Sequence, residues 1–216
     1  METLALMQMR HSVRQYEATP IETEKRAILD ALTETVNREG NLHIQILYDE
    51  PTCFSSFRAH YGKFSGVNNY IALIGPKSAD LDEKLGYYGE QLVLKATELG
   101  LNACWVAMTH GKSKAEIGPK EKQVCLIALG YGSTNGTEHK SKPLQEVCNY
   151  REDLPEWFLK GMEAALLAPT AMNQQKFFFT LLPDDTVKTT AGKGFYTKMD
   201  LGIAKYHFEL GADRTI

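Results

Sequence analysis

The chain has 216 residues, 43% hydrophobic and 24% charged, a balance that excludes wholesale disorder. At roughly 150 residues per domain it makes a single domain 1–216, or two intimately packed halves of about 1–150 and 151–216. Its 24 basic and 27 acidic residues leave a net charge of −3, which argues against a nucleic-acid partner.

In chain order, residues 3–9 read as a short helix and Arg10 to Pro20 as a polar loop. Ile21, Ile28, Leu29, Leu32 and Val36 carry a helical spacing that predicts a helix over 22–38, stopped at Glu39-Gly40. Residues 42–48 alternate as a strand, and Tyr70 to Ile74 is an apolar run ended by Gly75-Pro76, read as a buried strand. Leu85, Tyr88, Leu92, Ala96 and Leu99 mark a helix over 82–99 that stops at Gly100. Residues 102–107 and 123–130 read as two further buried strands, and Gly130 to Pro143 as a loop. A helix is expected from Asp153-Leu154-Pro155-Glu156 to about Leu167, with Asp153 as its N-cap. A strand over Phe177–Leu182 and a helix over Asp200–Leu210 complete the series. Helices and strands mix without strict alternation, so the fold class is α+β, a mixed sheet with helices on both faces.

No apolar run reaches the roughly 18 residues of a membrane span, so no membrane partner is expected. Residues 1–10 carry no basic leader region, and Gln8 breaks their apolar stretch, so no secretory signal is expected. Cys53, Cys104, Cys125 and Cys148 form no CxxC pair and the histidines are scattered, so no metal site is expected. Reduced thiols fit a cytoplasmic location. Cys104 lies in an apolar strand, a setting that favours an inert thiol over a reactive one.

Four segments could carry chemistry. Arg10-His11-Ser12-Val13-Arg14 puts two guanidiniums and a hydroxyl within five residues, suited to phosphate or to a solvated basic turn. His139-Lys140-Ser141-Lys142-Pro143 is a second basic cluster, with the same two readings. Ala168 to Gln175 offers small and amide side chains to a planar heterocycle, or simply connects a helix to a strand. Gly100 to Met108 reads alone as core. GxSxG, GxGxxG and Walker A sequences are absent, which argues against the usual hydrolase elbow and nucleotide loops.

Together these segments resemble the FMN-dependent nitroreductase family. Arg10-His11-Ser12-Val13-Arg14-Gln15-Tyr16 is similar to its R-R/H-S-x-R-x-F signature, and Gly100 to Trp105 to its G-L-G-T-C-W segment. Lys140-Ser141-Lys142-Pro143-Leu144 is similar to its K-x-R-K-P-L phosphate segment, and Pro169 to Gln175 to its A-P-S-x-x-N-x-Q-P-W segment. In most members the last of these follows soon after the first. Here it comes near the C-terminus, an order that resembles a divergent branch, as does the closing Asp200 to Phe208. Asn102-Ala103 stands where the family has Gly-Thr, and Lys176-Phe177 where it has Pro-Trp.

The resemblance implies a nitroreductase-like mixed sheet flanked by helices, a homodimer, FMN as cofactor and NAD(P)H as electron donor. It implies hydride transfer through flavin N5 to an electron-poor small molecule such as a nitroaromatic or quinone, with ping-pong kinetics and no catalytic side chain. Carried over, Arg10, His11, Ser12 and Arg14 form one cofactor wall, Arg14 also reaching the pyrimidine edge. Lys140 and Lys142 hold the phosphate. The backbone of Val106, Ala107 and Met108 lies along the ring, with an N–H toward N5. Pro169, Thr170, Ala171 and Asn173 form a second wall, from the partner subunit or, given the rearranged order, from the same chain. Tyr87, Tyr88 and Glu90 either line the pocket or pack within their helix. The competing readings are a flavoprotein of this fold with other reductive chemistry, such as dehalogenation or flavin fragmentation, and a non-enzymatic FMN-binding sensor.

Overall fold

The computed structural model describes residues 3–216. The short helix α1 (Thr3–Met9) opens the described chain. The described chain divides into two compact units. One, the sheet unit, comprises Met9–Leu81 and Leu92–Thr137; the other, the helical unit, comprises Asp82–Gln91 and Glu138–Ile216 together with the described residues 3–8.

In the sheet unit, α2 (Thr23–Gly40) turns Leu29, Thr33 and Val36 inward and ends where Asn41 adopts the left-handed conformation and donates its N–H to Asn37. That cap shortens the strand expected over 42–48. Leu42 N–H donates to the Asn37 carbonyl, and Asn37's side-chain amide brackets Ile44, so β1 starts only at Gln45 (Gln45–Leu47). The helix α3 (Phe57–Tyr61), absent from the sequence reading, precedes β2 (Asn69–Pro76). The long α4 (Leu81–Glu98) leads to β3 (Asn102–Val106), and β4 (Glu121–Gly130) closes the sheet. The strand order is β1-β2-β4-β3, every ladder antiparallel. A parallel bridge between Ser12 and Ala103 makes the sheet mixed at its β3 edge.

The central strands are buried on both sides. Tyr70, Ala72 and Ile74 face one way, Ile71 and Leu73 the other, and all have zero exposure. This double burial explains why Tyr70 to Ile74 reads as a continuous apolar run rather than an alternation. On the Tyr70 side, Phe54 packs against Phe64 and Tyr70 at centroid distances of 5.3 and 5.8 Å, over Val106, Leu126 and Ala128.

In the helical unit, α5 (Glu156–Ala165) packs on α6 (Thr197–Ala212). Asp153 does not cap α5: its carboxylate pairs with Arg151 at 2.8 Å, and Pro155 precedes the first turn. The antiparallel hairpin of β5 (Phe177–Leu181) and β6 (Val187–Ala191) stacks Phe179 on Phe208 of α6 at 4.9 Å. The Asp82–Gln91 turns of α4 meet α6 backbone to backbone: a Cβ on Gly86 would overlap the Met199 carbonyl, and one on Gly202 the Glu83 carbonyl. Polar pairs cross the same contact, Tyr87 with Glu209 at 2.5 Å, Lys205 with Glu83 at 3.0 Å, and buried Glu90 with buried His207 at 2.9 Å. Of the two alternatives for Tyr87 and Glu90, these bonds are those of helix packing. Among the described residues, no helix is long and apolar enough to cross a membrane.

Candidate functional site

The Arg10–Tyr16 segment is extended because its backbone is paired on both sides. Val13 N–H donates to the Ala103 carbonyl at 3.2 Å, Tyr16 N–H to Ser65 at 2.9 Å, and Ser65 N–H to Arg14 at 3.0 Å. Val13 and Tyr16 point into the core, and the Tyr16 hydroxyl donates to the Ala128 carbonyl at 3.3 Å. Arg14 points outward, its guanidinium carbon 5.8 Å from the Phe64 ring centre. Arg10 lies inward with only 5% exposure. The His11 ring nitrogen Nδ1 sits 3.0 Å from the Asn135 carbonyl, tying the segment to the loop after β4.

Cys104 lies among these groups. Burial pushes its thiol pKa up, outweighing the opposite pull of Arg14, the Ser12 hydroxyl and Arg10. The thiol is therefore protonated at neutral pH and is not a nucleophile. Its neighbours matter more: Arg10, Ser12 and Arg14 converge on the β3 strand that leads to Val106, Ala107 and Met108.

β3 ends at Val106, one residue short of the expected 107. Ala107 and Met108 leave the ladder, and neither donates its backbone N–H to another described residue. They border a cavity of about 1130 Å³ that runs to His110, Gly111 and Lys112 on one wall and to Ser56, Phe57, Arg58 and Tyr61 on the other. The two walls are fastened at both ends. Gly111 N–H donates to the Cys53 carbonyl at 2.7 Å, and a Cβ on Gly62 would sit 2.5 Å from the Thr109 side chain. Beneath them Glu50 is buried and bonded to Lys114 at 3.0 Å. Burial would raise its pKa, but Lys114, Tyr70 and the N–H groups of Thr52 and Cys53 hold the carboxyl below its usual value.

The helical unit gathers the remaining predicted residues. The Lys140 carbonyl accepts from Asn173 Nδ2 at 2.9 Å and from Gln175 Nε2 at 2.8 Å, while Lys142 N–H donates to Gln175 Oε1 at 2.9 Å. The basic segment and the Pro169–Gln175 segment are thus one construction. Met172, Asn173 and Gln175 all have positive φ, 53°, 54° and 44°. Such left-handed backbone persists only when surrounding bonds over-determine it. Here the bonds are those of Gln175, the Thr170 hydroxyl accepting from Gln175 N–H at 3.0 Å, and Asp200 accepting from Ala171 N–H at 2.9 Å and Gln174 Nε2 at 2.7 Å. Burial raises the Asp200 pKa to about 6 against those two bonds. Pro169 and Thr170 are half-buried and Lys140 is exposed, while Lys142 Nζ lies 3.4 Å from the Gln175 carbonyl and 3.8 Å from Glu146.

Gln175 and Asp200 were not among the expected site residues, nor were Arg58 and Lys112. Gln175 lies inside a quoted motif, so its amide could have been found. Asp200 and the α3 residues act across sequence separations that carry no local signal. Among the described residues no group of three or more His, Cys, Asp or Glu could hold a metal ion.

The antiparallel sheet and the cationic N-terminal segment beside β3 in the sheet unit, and the helices and amide-rich loop of the helical unit, make an α+β protein. A family model described as "Putative TM nitroreductase" matches residues 2–212, and the chain belongs to that family. The fold is similar to that of a "putative nitroreductase" from Thermotoga maritima, 24% identical, TM-score 0.72, covering 100% of this chain and 87% of that one. It is also similar to a "putative nitroreductase in complex with FMN" from Desulfovibrio desulfuricans, 17% identical, TM-score 0.54, covering 70% and 97%. A third likeness is a "Putative NADH dehydrogenase/NAD(P)H nitroreductase" from Parabacteroides distasonis, 20% identical, TM-score 0.53, covering 71% and 99%. No curated protein matches.

Proposed function

We propose that the protein is an FMN-dependent oxidoreductase that takes a hydride from NAD(P)H and reduces an electron-poor small molecule, such as a nitroaromatic or quinone, by ping-pong kinetics. The observation that carries this reading is the pair of backbone donors, Ala107 and Met108, unpaired among the described residues, at the edge of a cavity and directly after the strand whose free edge is bridged by Ser12 of the Arg10–Arg14 segment.

The donor set fits FMN. The phosphate carries close to two negative charges, and planar guanidiniums and ammonium groups complement it. In the sheet unit, Arg10 and Ser12 would serve the phosphate and ribityl chain, with His11 steadying the loop beside them. Arg14, exposed and stacked by Phe64, would stabilise negative charge on the pyrimidine edge of the ring. Val106 would flank the ring, and Ala107 and Met108 would aim an N–H at N5; the small side chain of Ala107 leaves the backbone accessible. In the helical unit, Lys140 and Lys142 would bind phosphate, and Pro169, Thr170, Ala171 and Asn173 would form the other wall, held in shape by Gln175 and Asp200. When bound, FMN supplies the redox chemistry, so the protein's own task is binding, orientation and electrostatics. No side chain is assigned a proton transfer.

The test is the visible spectrum of the purified protein before and after anaerobic NADPH and NADH. The expected result is a two-banded flavin spectrum that bleaches with a nicotinamide donor. A protein that neither carries nor takes up FMN would overturn the reading. Arg10→Ala with Lys142→Ala is expected to lower flavin content on purification; unchanged content would refute the phosphate assignment.

A further inference from the structure

The cavity beside Ala107 and Met108 has an uneven lining. Phe57 and Tyr61, four residues apart on α3, lie on the same helix face and are 86% and 81% exposed. Met108 opposite is 72% exposed. Three large apolar side chains around one cavity mark a binding surface rather than random surface exposure. The backs of both walls are anchored: Ala59 on the inner face of α3 is buried, the Ser56 hydroxyl caps Ala59 N–H, and Gly111 is bonded to Cys53.

The polar part of the lining is one-signed. Arg58 and Lys112 stand on opposite walls, and among the described residues no Asp or Glu lines the cavity. Neither cation has a carboxylate within ion-pair range among the described residues, whereas nearby Lys114 is taken by Glu50. The His110 ring is turned to the Gly111 carbonyl at 2.7 Å. Two rings and a thioether offer a stacking surface; two unpaired cations offer a place for negative charge.

We propose that this cavity is the acceptor site and that it selects aromatic acceptors bearing an anionic substituent, such as a carboxylate, with Phe57 and Tyr61 stacking the ring and Arg58 and Lys112 pairing the charge. The inference rests on the oxidoreductase reading for its turnover and on the lining alone for its binding preference.

The test uses FMN-loaded protein and the isosteric pair 4-nitrobenzoate and 4-nitrobenzamide, which differ in charge. The carboxylate is expected to have the higher kcat/KM, through KM, and the ratio is expected to shrink as ionic strength rises from about 0.1 M to about 1 M. In Arg58→Gln with Lys112→Gln, two exposed residues whose loss leaves the core intact, the ratio is expected to fall about tenfold. Arg58→Lys with Lys112→Arg is expected to restore it. A ratio near one in the wild type, or one unchanged by salt and by the double variant, would overturn the proposal. A double variant that raises the KM of NADPH but not NADH, with the acceptor ratio intact, would assign the cations to the donor's phosphate and also overturn it. Calorimetric binding of the two nitro compounds keeps the outcomes separate. Tighter carboxylate binding without turnover would fault the oxidoreductase reading alone, and equal binding would fault this one alone.

Discussion

Asp200 shows how one buried charge sets a pH dependence. Its carboxyl takes up a proton more readily in the folded protein, near pH 6, than at the ordinary value of 3.8. A raised folded-state pKa stabilises the fold below the unfolded pKa, and that contribution is lost as pH rises through the folded one. The window therefore runs from about pH 4 to about pH 6, with a ceiling of about 3 kcal/mol. Asp200→Asn keeps an oxygen for Ala171 N–H. It is expected to flatten this stretch of the stability curve and to raise the melting temperature above pH 6; thermal melts across the window check both. Glu90 and His207 pose the opposite case, a buried pair whose partners should not be parted. His207→Ala removes the imidazole bonded to buried Glu90 and is expected to cost about 1–3 kcal/mol in urea unfolding. Glu90→Gln, which keeps a hydrogen bond, should cost distinctly less.

Among elements, the contact of α4 with α6 inside the helical unit is built on absent side chains. Gly86 and Gly202 let the two backbones touch where any Cβ would overlap a carbonyl oxygen. Gly202→Ala is expected to destabilise the protein by about 1–3 kcal/mol or more through overpacking, although the exchange raises helix propensity, and chemical denaturation reads the sign directly. The helix α3 is a contrasting element. Five residues cannot hold a helix by propensity alone. It exists because its own Ala59 is buried and Ser56 caps it, so Ser56→Ala should loosen the α3 wall at a cost of about 1 kcal/mol. Faster amide exchange over residues 57–62 than over α2 would register it.

For the molecule as a whole, the cofactor reading makes stability a function of ligand. If FMN binds the folded chain and not the unfolded one, a hundredfold excess over Kd adds about 2.7 kcal/mol, seen as a concentration-dependent rise in melting temperature. A chain whose melting temperature ignores FMN would contradict the cofactor assignment. The wall formed by Pro169–Asn173 and Lys140–Lys142 is read as serving a homodimer, as the family resemblance implies. Light scattering of the FMN-loaded protein decides between that and a chain that supplies the wall to its own cofactor.

The α+β class, the principal strands β2, β3 and β4, and the helices α2 and α4 were legible because each buries a periodic or continuous apolar set long enough to stand above local noise. The family was legible through short strings such as Arg10–Tyr16 and Pro169–Gln175, where residue types and spacing survive together. α3 and β6 were not: one is too short to carry a period, and the polar Val-Lys-Thr-Thr-Ala of β6 carries little apolar signal. Asp153 looked like a cap by position, but a nearby arginine offered its carboxylate a stronger partner. The sequence by itself determined which groups exist, cations, amides and small residues in recognisable order. Only the tertiary structure decided that Gln175 and Asp200 hold the 172–175 loop, with Met172, Asn173 and Gln175 at positive φ. It alone also set Arg58 and Lys112 on opposite walls of one cavity. Hydrogen bonds and charge pairing depend on distances of a few ångströms, which sequence separations such as that from 140 to 175 or 58 to 112 do not encode.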